Sequence, residues 1–207
     1  MGDEHLELAD YRRRVAALYQ QVREEGGTGA GSHLARFRRG KDIMFRTHPQ
    51  SPVPAAGRAS FGGLAYWPYQ AELRVVGSFT PDAEASAQAV PSSGGGTMGL
   101  RHIGQVAFRI EERLHRLGVY WFDEYAGGIF IPFRDATNGS ETYEGGRYLW
   151  DSAKGADLGS DDDALMLDFN YAYHPSCVYD PHWSCPLAPP ANRLGIPIRA
   201  GERLAGT

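Results

Sequence analysis

The 207-residue chain carries 25 acidic and 21 basic side chains, and its formal net charge of -4 argues against nucleic-acid binding, which needs a basic surface. Its two cysteines are too few for a secreted disulfide scaffold, and no run approaches the ~18 apolar residues of a membrane span. The acidic N-terminal segment has no apolar signal sequence. We therefore expect a cytoplasmic protein with neither a nucleic-acid nor a membrane partner.

Two amphipathic helices are predicted at the N-terminal end. The first covers residues 6–25 and ends at Gly26–Gly27. The second has Ser32 as its N-cap and ends before His48–Pro49, because the residue before a proline disfavours helical backbone. A basic cluster in this second helix is interpreted as a solvated face: Arg36, Arg38, Arg39, Lys41 and Arg46.

From residue 64 onward, short apolar or alternating runs with turn signals predict an antiparallel β fold. The predicted strands are 64–69, 73–79, 103–110, 117–122, 128–133, 142–150, 164–169 and 196–199. Residues 80–99 are poor in large apolar groups and are expected to form a mobile loop. The prediction is a mainly β protein, an antiparallel barrel or sandwich of about 7–9 strands. An N-terminal helical extension (1–47) and a β domain (48–207) would form one compact unit.

The segment from Arg134 to Arg147 contains the first group of candidate site residues. Asn138–Gly139 is a strong signal for a tight hairpin, which would pair Asp135 with residue 142 and Arg134 with Tyr143. Alternation would then place Arg134, Tyr143 and Arg147 on one face as a clamp for a carboxylate or phosphate. Asp135 would be the general base. The alternative is a purely structural Arg–Asp pair that fixes the hairpin.

A long proline-rich loop follows the strand that ends near Asp168, and long ordered loops on a β scaffold tend to carry sites. Candidate substrate-binding residues in and around it are Tyr148, Asn170, Tyr173, His174 and Arg193, together with Arg147. In the structural alternative, an extended segment wraps the β domain, and Asn170 and Asn192 satisfy exposed backbone groups.

Four residues of this loop, His174, Cys177, His182 and Cys185, have the types and spacing of zinc ligands. The prolines around them restrict the loop, so zinc is the secondary interpretation and no cofactor is expected. Cys177 with a histidine base could instead act as a nucleophile. Two reduced, packed cysteines are the default, and a disulfide is disfavoured in the cytoplasm.

These segments together resemble a known family. PFRDATNGSETYEGGRYL and LDFNYAYHPSCVYDPHWSCPLAPPANRLGIPIRAGE, with FRTHPQSPV and FGGLAYWPY before them, resemble the bacterial proteins grouped as domain of unknown function 1684. The resemblance covers roughly residues 40–203. It singles out the following residues: Asp135, Thr137, Thr142, Tyr143, Gly146, Arg147, Tyr148, Asp168, Phe169, Asn170, Cys177, Cys185, Pro186, Asn192, Arg193, Leu194 and Glu202. His174 stands where the family typically has Asn, so a four-ligand zinc site is not implied by the family, and no reaction is implied either.

The leading functional prediction is a cofactor-independent enzyme of the hydrolase, dehydratase (lyase) or isomerase type, acting on a small anionic or carboxylate-bearing substrate. Its predicted catalytic residues are Arg134, Asp135, Tyr143 and Cys177. The alternative is a non-catalytic β-barrel that binds an apolar or amphipathic small ligand, for which the 12% aromatic content is suited. A homodimer is left open.

Overall fold

Three helices precede the main sheet. The computed structural model describes residues 3–25, 30–123 and 127–206, and its helices are α1 (Glu4–Glu24), α2 (Ala30–Thr47) and α3 (Ala55–Arg58). Both predicted helices are confirmed, and the Asp3 carboxylate caps α1 by accepting a hydrogen bond from the amide of His5. Helix α2 begins before the predicted cap Ser32, while Gly26–Gly27 lies outside the described residues. Within the described ranges, no helix is long and apolar enough to cross a membrane.

The described residues contain nine strands, all paired antiparallel. They are β1 (Ala65–Tyr66), β2 (Arg74–Pro91), β3 (Thr97–Ile110), β4 (Arg113–Phe122), β5 (Ile129–Phe133), β6 (Arg147–Asp151), β7 (Ser160–Asp161), β8 (Ala164–Asp168) and β9 (Glu202–Arg203). Short 3-10 turns lie at Ala71–Leu73, Ser152–Lys154, Phe169–Tyr171 and Ser176–Val178. Seven strands form one sheet in the order β6-β5-β4-β3-β2-β8-β7, and β1 pairs with β9 in a second. The predicted mainly β fold with N-terminal helices is confirmed.

The seven-stranded sheet is open, although one side chain links the edge strand β6 to β8, which lies next to the other edge. Its terminal strands, β6 and β7, do not pair with each other among the described residues. The indole N–H of Trp150 in β6 donates instead to the backbone carbonyl of Met166 in β8, at 2.9 Å. The main core includes Val106, Phe133 and Leu167, none of which has exposed surface. Of the two predicted architectures, the strand order supports the open, sandwich-like one.

Strands β2 and β3 form a long hairpin where residues 80–99 were expected to be a mobile loop, and that prediction is wrong. Backbone pairing extends out to Pro91, with a bulge between Pro81 and Ser86. All of residues 80–89 are exposed, so both faces of this part of the ribbon tolerate small polar side chains. Because the hydrogen bonds between backbone groups hold the ribbon, its sequence needs no apolar alternation.

Three other predicted strands are shortened or absent, and the first of them, 64–69, is reduced to β1 (Ala65–Tyr66). Strand β6 begins at Arg147 rather than at residue 142, because residues 134–146 form a compact loop. The predicted strand 196–199 has irregular backbone, and the carbonyl of Ile198 accepts a hydrogen bond from the Arg147 guanidinium rather than from a neighbouring strand.

The two long helices pack on the β part of the chain through a separate apolar cluster. Tyr19 of α1 and Phe37 of α2 contact each other edge-on at 4.9 Å between ring centroids, and Phe37 contacts Tyr171 at the same distance. A third cluster joins the buried tip of β2 to β6: Val90, Leu100, Tyr120, Phe130 and Tyr148. The helices therefore cover the segments that follow β6 and β8, through Ala156 and Tyr171.

Candidate functional site

Arg147 is the first residue of β6 and has no exposed surface. Its guanidinium donates to the Asp135 carboxylate at 2.9 Å. It also donates to three backbone carbonyls, those of Ile198 (2.7 Å), Ala200 (2.5 Å) and Glu202 (3.0 Å). Burial lowers the pKa of Arg147, and the neighbouring Asp135 carboxylate opposes this by favouring the charged form. The pair ties the C-terminal segment to the sheet.

The loop between β5 and β6 is built around Asp135, which is 1% exposed. Its carboxylate accepts hydrogen bonds from the amide and the hydroxyl of Thr137, whose hydroxyl lies 2.8 Å from that of Thr142. The tight hairpin predicted at Asn138–Gly139, with Asp135 paired to Thr142, is therefore wrong. Side chains of this kind bond the local backbone and so compete with strand pairing.

Arg134 and Tyr143, predicted to face each other across that hairpin, take different partners. The amide of Arg134 donates to the carbonyl of Asn192 at 2.8 Å. Its half-buried side chain has no hydrogen-bond partner for Nε among the described residues. Tyr143 is half-buried, and burial, with the neighbouring Cys177 side chain second, raises the pKa of this tyrosine to about 12. The predicted two-arginine clamp is not assembled.

Asn170 and Asn192 satisfy backbone groups, as the structural alternative predicts, and that interpretation is confirmed. Asn170 bonds both the N–H and the carbonyl of Gln70, each at 2.8 Å. Asn192 has no exposed surface and does the same to Gly118, at 2.8 and 2.9 Å. Arg193, predicted to bind substrate, is exposed next to this anchor.

Glu202 in β9 is 1% exposed and lies at the centre of a second polar cluster. Its carboxylate accepts hydrogen bonds from Lys41 Nζ at 2.5 Å, the amide of His174 at 2.8 Å and the hydroxyl of Tyr179 at 3.1 Å. Burial lowers the pKa of His174 to about 4, so the ring is neutral at neutral pH. Its Nε2 accepts a hydrogen bond from the amide of Tyr143 at 3.3 Å. The contacts of His174 are those of a structural anchor.

The predicted solvated helix face is wrong for Lys41. Its side chain is 14% exposed, and its Nζ lies 4.4 Å from the centroid of the Tyr173 ring. A sequence signal for this burial was present, because Lys41 follows Phe37 by four residues and precedes Phe45 by four. The spacing places it on the apolar stripe of α2.

Cys177 and Cys185 are both free cysteines, the first half-buried and the second buried. The neighbouring Cys185 side chain foremost, with those of Ser93 and Tyr143, lowers the pKa of Cys177 to about 6, whereas burial acts in the opposite direction. The neighbouring Cys177 side chain and burial raise the pKa of Cys185.

The four residues considered as zinc ligands do not converge on one point. Cys177 and Cys185 are adjacent, but His174 is buried on the Glu202 side and His182 is exposed. Over residues 3–25, 30–123 and 127–206, no group of three or more His, Cys, Asp or Glu side chains is arranged to hold a metal ion. Neither histidine is among the described partners of the Cys177 thiol, so neither is placed to act as its base.

A cavity of about 300 Å³ lies between α1, one face of the sheet and the C-terminal loop. Its apolar wall consists of Met98, Phe122, Phe130, Tyr148 and Trp183. The rings of Phe130 and Tyr148 pack edge-on with centroids 4.7 Å apart, and Phe122 contacts Phe130 at 4.9 Å. A smaller cavity of about 50 Å³ shares Tyr11 and Lys154 with it and continues under α2 to Lys41.

One end of the larger cavity is polar. Lys154 pairs with Asp151 at 2.8 Å, and the hydroxyl of Tyr173 donates to the same carboxylate at 3.2 Å. Arg12, on α1, is exposed and lines the same cavity. Sequence reasoning selected Tyr148 and Tyr173 but missed the charged residues, which come from distant parts of the chain and share no motif.

The chain was compared with known proteins and solved structures. A family model described as "Protein of unknown function (DUF1684)" matches residues 59–203. No curated protein matches the chain. The solution NMR structure of an uncharacterized protein from gene locus rrnAC0354 of Haloarcula marismortui is similar, with 32% sequence identity and a TM-score of 0.63. The similarity covers 87% of this chain and 97% of that one. Since the family model spans well over half of the residues, the chain belongs to the family of proteins of unknown function DUF1684.

Proposed function

We propose that this protein binds a small amphipathic anion in the cavity beneath α1. The observation that carries the proposal is the combination of aromatic and charged side chains in the lining of one cavity. A volume of about 300 Å³ suits a small ligand, and predominantly apolar walls with a few converging polar groups are usual for such sites. The apolar part of the ligand would contact Phe122, Phe130 and Tyr148.

The charge of the polar end favours an anionic group. Arg12 and Lys154 contribute two positive charges and Asp151 one negative charge, so this end is cationic overall. A carboxylate, sulfonate or phosphate would accept hydrogen bonds from the exposed guanidinium of Arg12 and from the half-exposed ammonium of Lys154. Asp151 would keep Lys154 in place through their ion pair.

Catalysis by the predicted Arg/Asp group has less support than binding. Asp135 and Asn170 are each 1% exposed, Arg147 is fully buried, and all three are engaged with the chain itself. A general base must reach its substrate within hydrogen-bond distance, which this burial opposes. Enzymatic turnover therefore stays a prediction, and of the residues named for it Arg134, Tyr143 and Cys177 are half-buried whereas Asp135 is buried.

The test is calorimetric titration of the full chain with decanoate and, as an uncharged match, decanol. Decanoate should bind with one-to-one stoichiometry and should be the tighter ligand. Displacement of anilinonaphthalene sulfonate, an aromatic anion, by decanoate gives a second readout on the same cavity. Absence of saturable binding by both probes would contradict the proposal.

Two neighbouring arginines supply the variant and its control. Arg12 lines the cavity, whereas Arg13 is exposed on α1 and is not part of the lining. Arg12→Gln should weaken decanoate binding by about 1.5- to 5-fold, the value of an ion pair near the surface, and should leave decanol binding unchanged. Arg13→Gln should change neither affinity. Equal effects of both variants would show that net charge, rather than this cavity, attracts the anion.

A further inference from the structure

The larger and the smaller cavity have a common boundary. Tyr11, Pro52, Lys154 and Ser176 line both of them. Lys154 belongs to the 3-10 turn that follows β6, and its half-exposed side chain is long and cationic. A ligand group that binds the Lys154 ammonium therefore borders both cavities at once.

The smaller cavity offers mainly apolar surface to an occupant. Its lining includes Val15 and Leu18 of α1, Phe37 and Met44 of α2, and Ala156. Carbon atoms placed against such side chains gain dispersion contacts that an empty cavity lacks. A hydrocarbon group is therefore the kind of occupant that this lining favours.

Two polar side chains that also line the smaller cavity are already bonded within the chain. Lys41 donates to the Glu202 carboxylate, and the hydroxyl of Tyr173 donates to Asp151. A hydrocarbon group leaves these bonds intact, whereas a polar occupant would have to compete for them. The charge of Lys41 is thus unavailable to a second anionic group.

The volume of the smaller cavity limits the size of the group that fits. It is about 50 Å³. An apolar protein cavity of ~150 Å³ holds the six carbon atoms of benzene, so a third of that volume suits about two carbon atoms. The larger cavity, at about 300 Å³, has room for a longer chain.

We propose that the anion bound beneath α1 is branched next to its charged group. Its long chain occupies the larger cavity, its carboxylate binds Lys154 and Arg12, and a branch of about two carbon atoms enters the smaller cavity. This assignment rests on the proposed function, since the larger cavity must hold an amphipathic anion. The ligand class is that of carboxylates with a short alkyl branch on the α-carbon.

The probe is decanoate with an ethyl branch on its α-carbon (α-ethyldecanoate), compared with decanoate in calorimetric titrations of the full chain. Burial of the two carbon atoms of the branch should tighten binding of the better enantiomer by about 10-fold. Dodecanoate, an isomer that carries the same two carbon atoms at the far end of the chain, separates the position of the branch from its hydrophobicity.

Ala156 provides the decisive variant. Ala156→Val adds two carbon atoms to the wall of the smaller cavity and should bring the affinity ratio of α-ethyldecanoate to decanoate close to one. Ala17→Val, at an exposed position of α1 that neither lining includes, is the matched control and should preserve the ratio. Thermal unfolding establishes that each variant is folded.

Leu18→Ala tests the same cavity in the opposite direction and does not depend on the folding of Ala156→Val. Removal of the isobutyl group enlarges the smaller cavity, so the preference should move from the ethyl branch to a butyl branch on the same carbon. An unchanged preference for the ethyl branch would contradict the assignment.

Three results would overturn the branched ligand. If decanoate binds with one-to-one stoichiometry and α-ethyldecanoate binds no more tightly, the branch is wrong while the proposed function stands. If the advantage of α-ethyldecanoate persists in folded Ala156→Val, the branch lies elsewhere. If neither acid binds, the proposed function fails together with the branch.

Discussion

Single buried ionic residues determine how several segments of this chain are joined. Arg147 donates hydrogen bonds to one carboxylate and three carbonyls. The Glu202 carboxylate accepts hydrogen bonds from Lys41, His174 and Tyr179. An intact buried ion pair contributes little to stability, because desolvation offsets its Coulomb energy. Removing one partner is costly, since the other charge then stays buried without compensation. These residues should therefore be sensitive to substitution for structural reasons.

Arg147→Ala tests this at the residue scale. It leaves the Asp135 carboxylate and the carbonyls of Ile198 and Ala200 without their donor. We expect the free energy of unfolding, measured with urea, to fall by about 3–5 kcal/mol. The matched control is Arg199→Ala, which breaks the exposed pair with Glu141 and should cost less than about 1 kcal/mol. Equal costs would contradict the structural role of Arg147.

His174 makes stability depend on pH in a predictable direction. Its folded pKa of about 4 lies below the value of 6.5 that it has when unfolded. As pH falls from 6.5 to 4, His174 takes up a proton in the unfolded chain but not in the folded chain. The contribution of His174 to the free energy of unfolding is therefore complete above pH 6.5 and is lost progressively below it. The free-energy advantage of the wild type over His174→Gln should shrink by roughly 3 kcal/mol over this range. Ser176→Ala, a non-titrating change nearby, should show a constant difference, and urea unfolding at each pH provides the measurement.

At the scale of elements, the sequence predicts those whose side chains alternate between buried and exposed. Helices α1 and α2 have apolar stripes, and β4 follows the predicted 117–122. The outer part of the β2–β3 hairpin has no such pattern, because both of its faces are exposed and backbone pairing alone defines it. The sequence places Arg134 directly beside Asp135, but the compact loop makes Arg147, twelve positions further along the chain, the partner of this carboxylate. Likewise, no spacing connects Arg12 to Lys154, because only the packing of α1 on the sheet places them at one cavity.

The bulge in the β2–β3 hairpin depends on one glycine. Gly104 has a φ of +154°, and a Cβ there would overlap the backbone carbonyl of Thr80, which cannot move without breaking the ladder. Gly104→Ala should lower the free energy of unfolding by about 1–3 kcal/mol. Gly99→Ala lies on the same strand where a Cβ meets nothing within 4 Å, and it should change stability by less than about 0.5 kcal/mol. Urea unfolding of both variants decides, and indistinguishable stabilities would contradict the steric argument.

At the scale of the whole molecule, the helices and the sheet share buried surface and should unfold together. Tyr19 and Phe37 pack against Tyr171, and Lys41 reaches Glu202 in β9. All four tryptophans lie outside the two long helices: Trp67, Trp121, Trp150 and Trp183. Tryptophan fluorescence therefore reports the β part, whereas far-ultraviolet circular dichroism includes the helices.

Urea unfolding followed by both signals should give one coincident transition. Phe37→Ala removes a buried ring from α2 and should lower the free energy of unfolding by about 3–5 kcal/mol. Both signals should then shift to the same lower urea midpoint. An early loss of helical signal, with the fluorescence transition unchanged, would show that the helices are an independent appendage.

The hydrogen bonds from Arg147 to residues 198–202 also determine the order in which the chain can fold during its synthesis. Strands β5 and β6 leave the ribosome before the carbonyls of Ile198, Ala200 and Glu202 exist. Until then, the Arg147 cation has no complete set of acceptors in the core, and burying it is costly. A nascent chain that ends before residue 198 should therefore stay sensitive to protease, and resistance should appear abruptly once these last acceptors have been added.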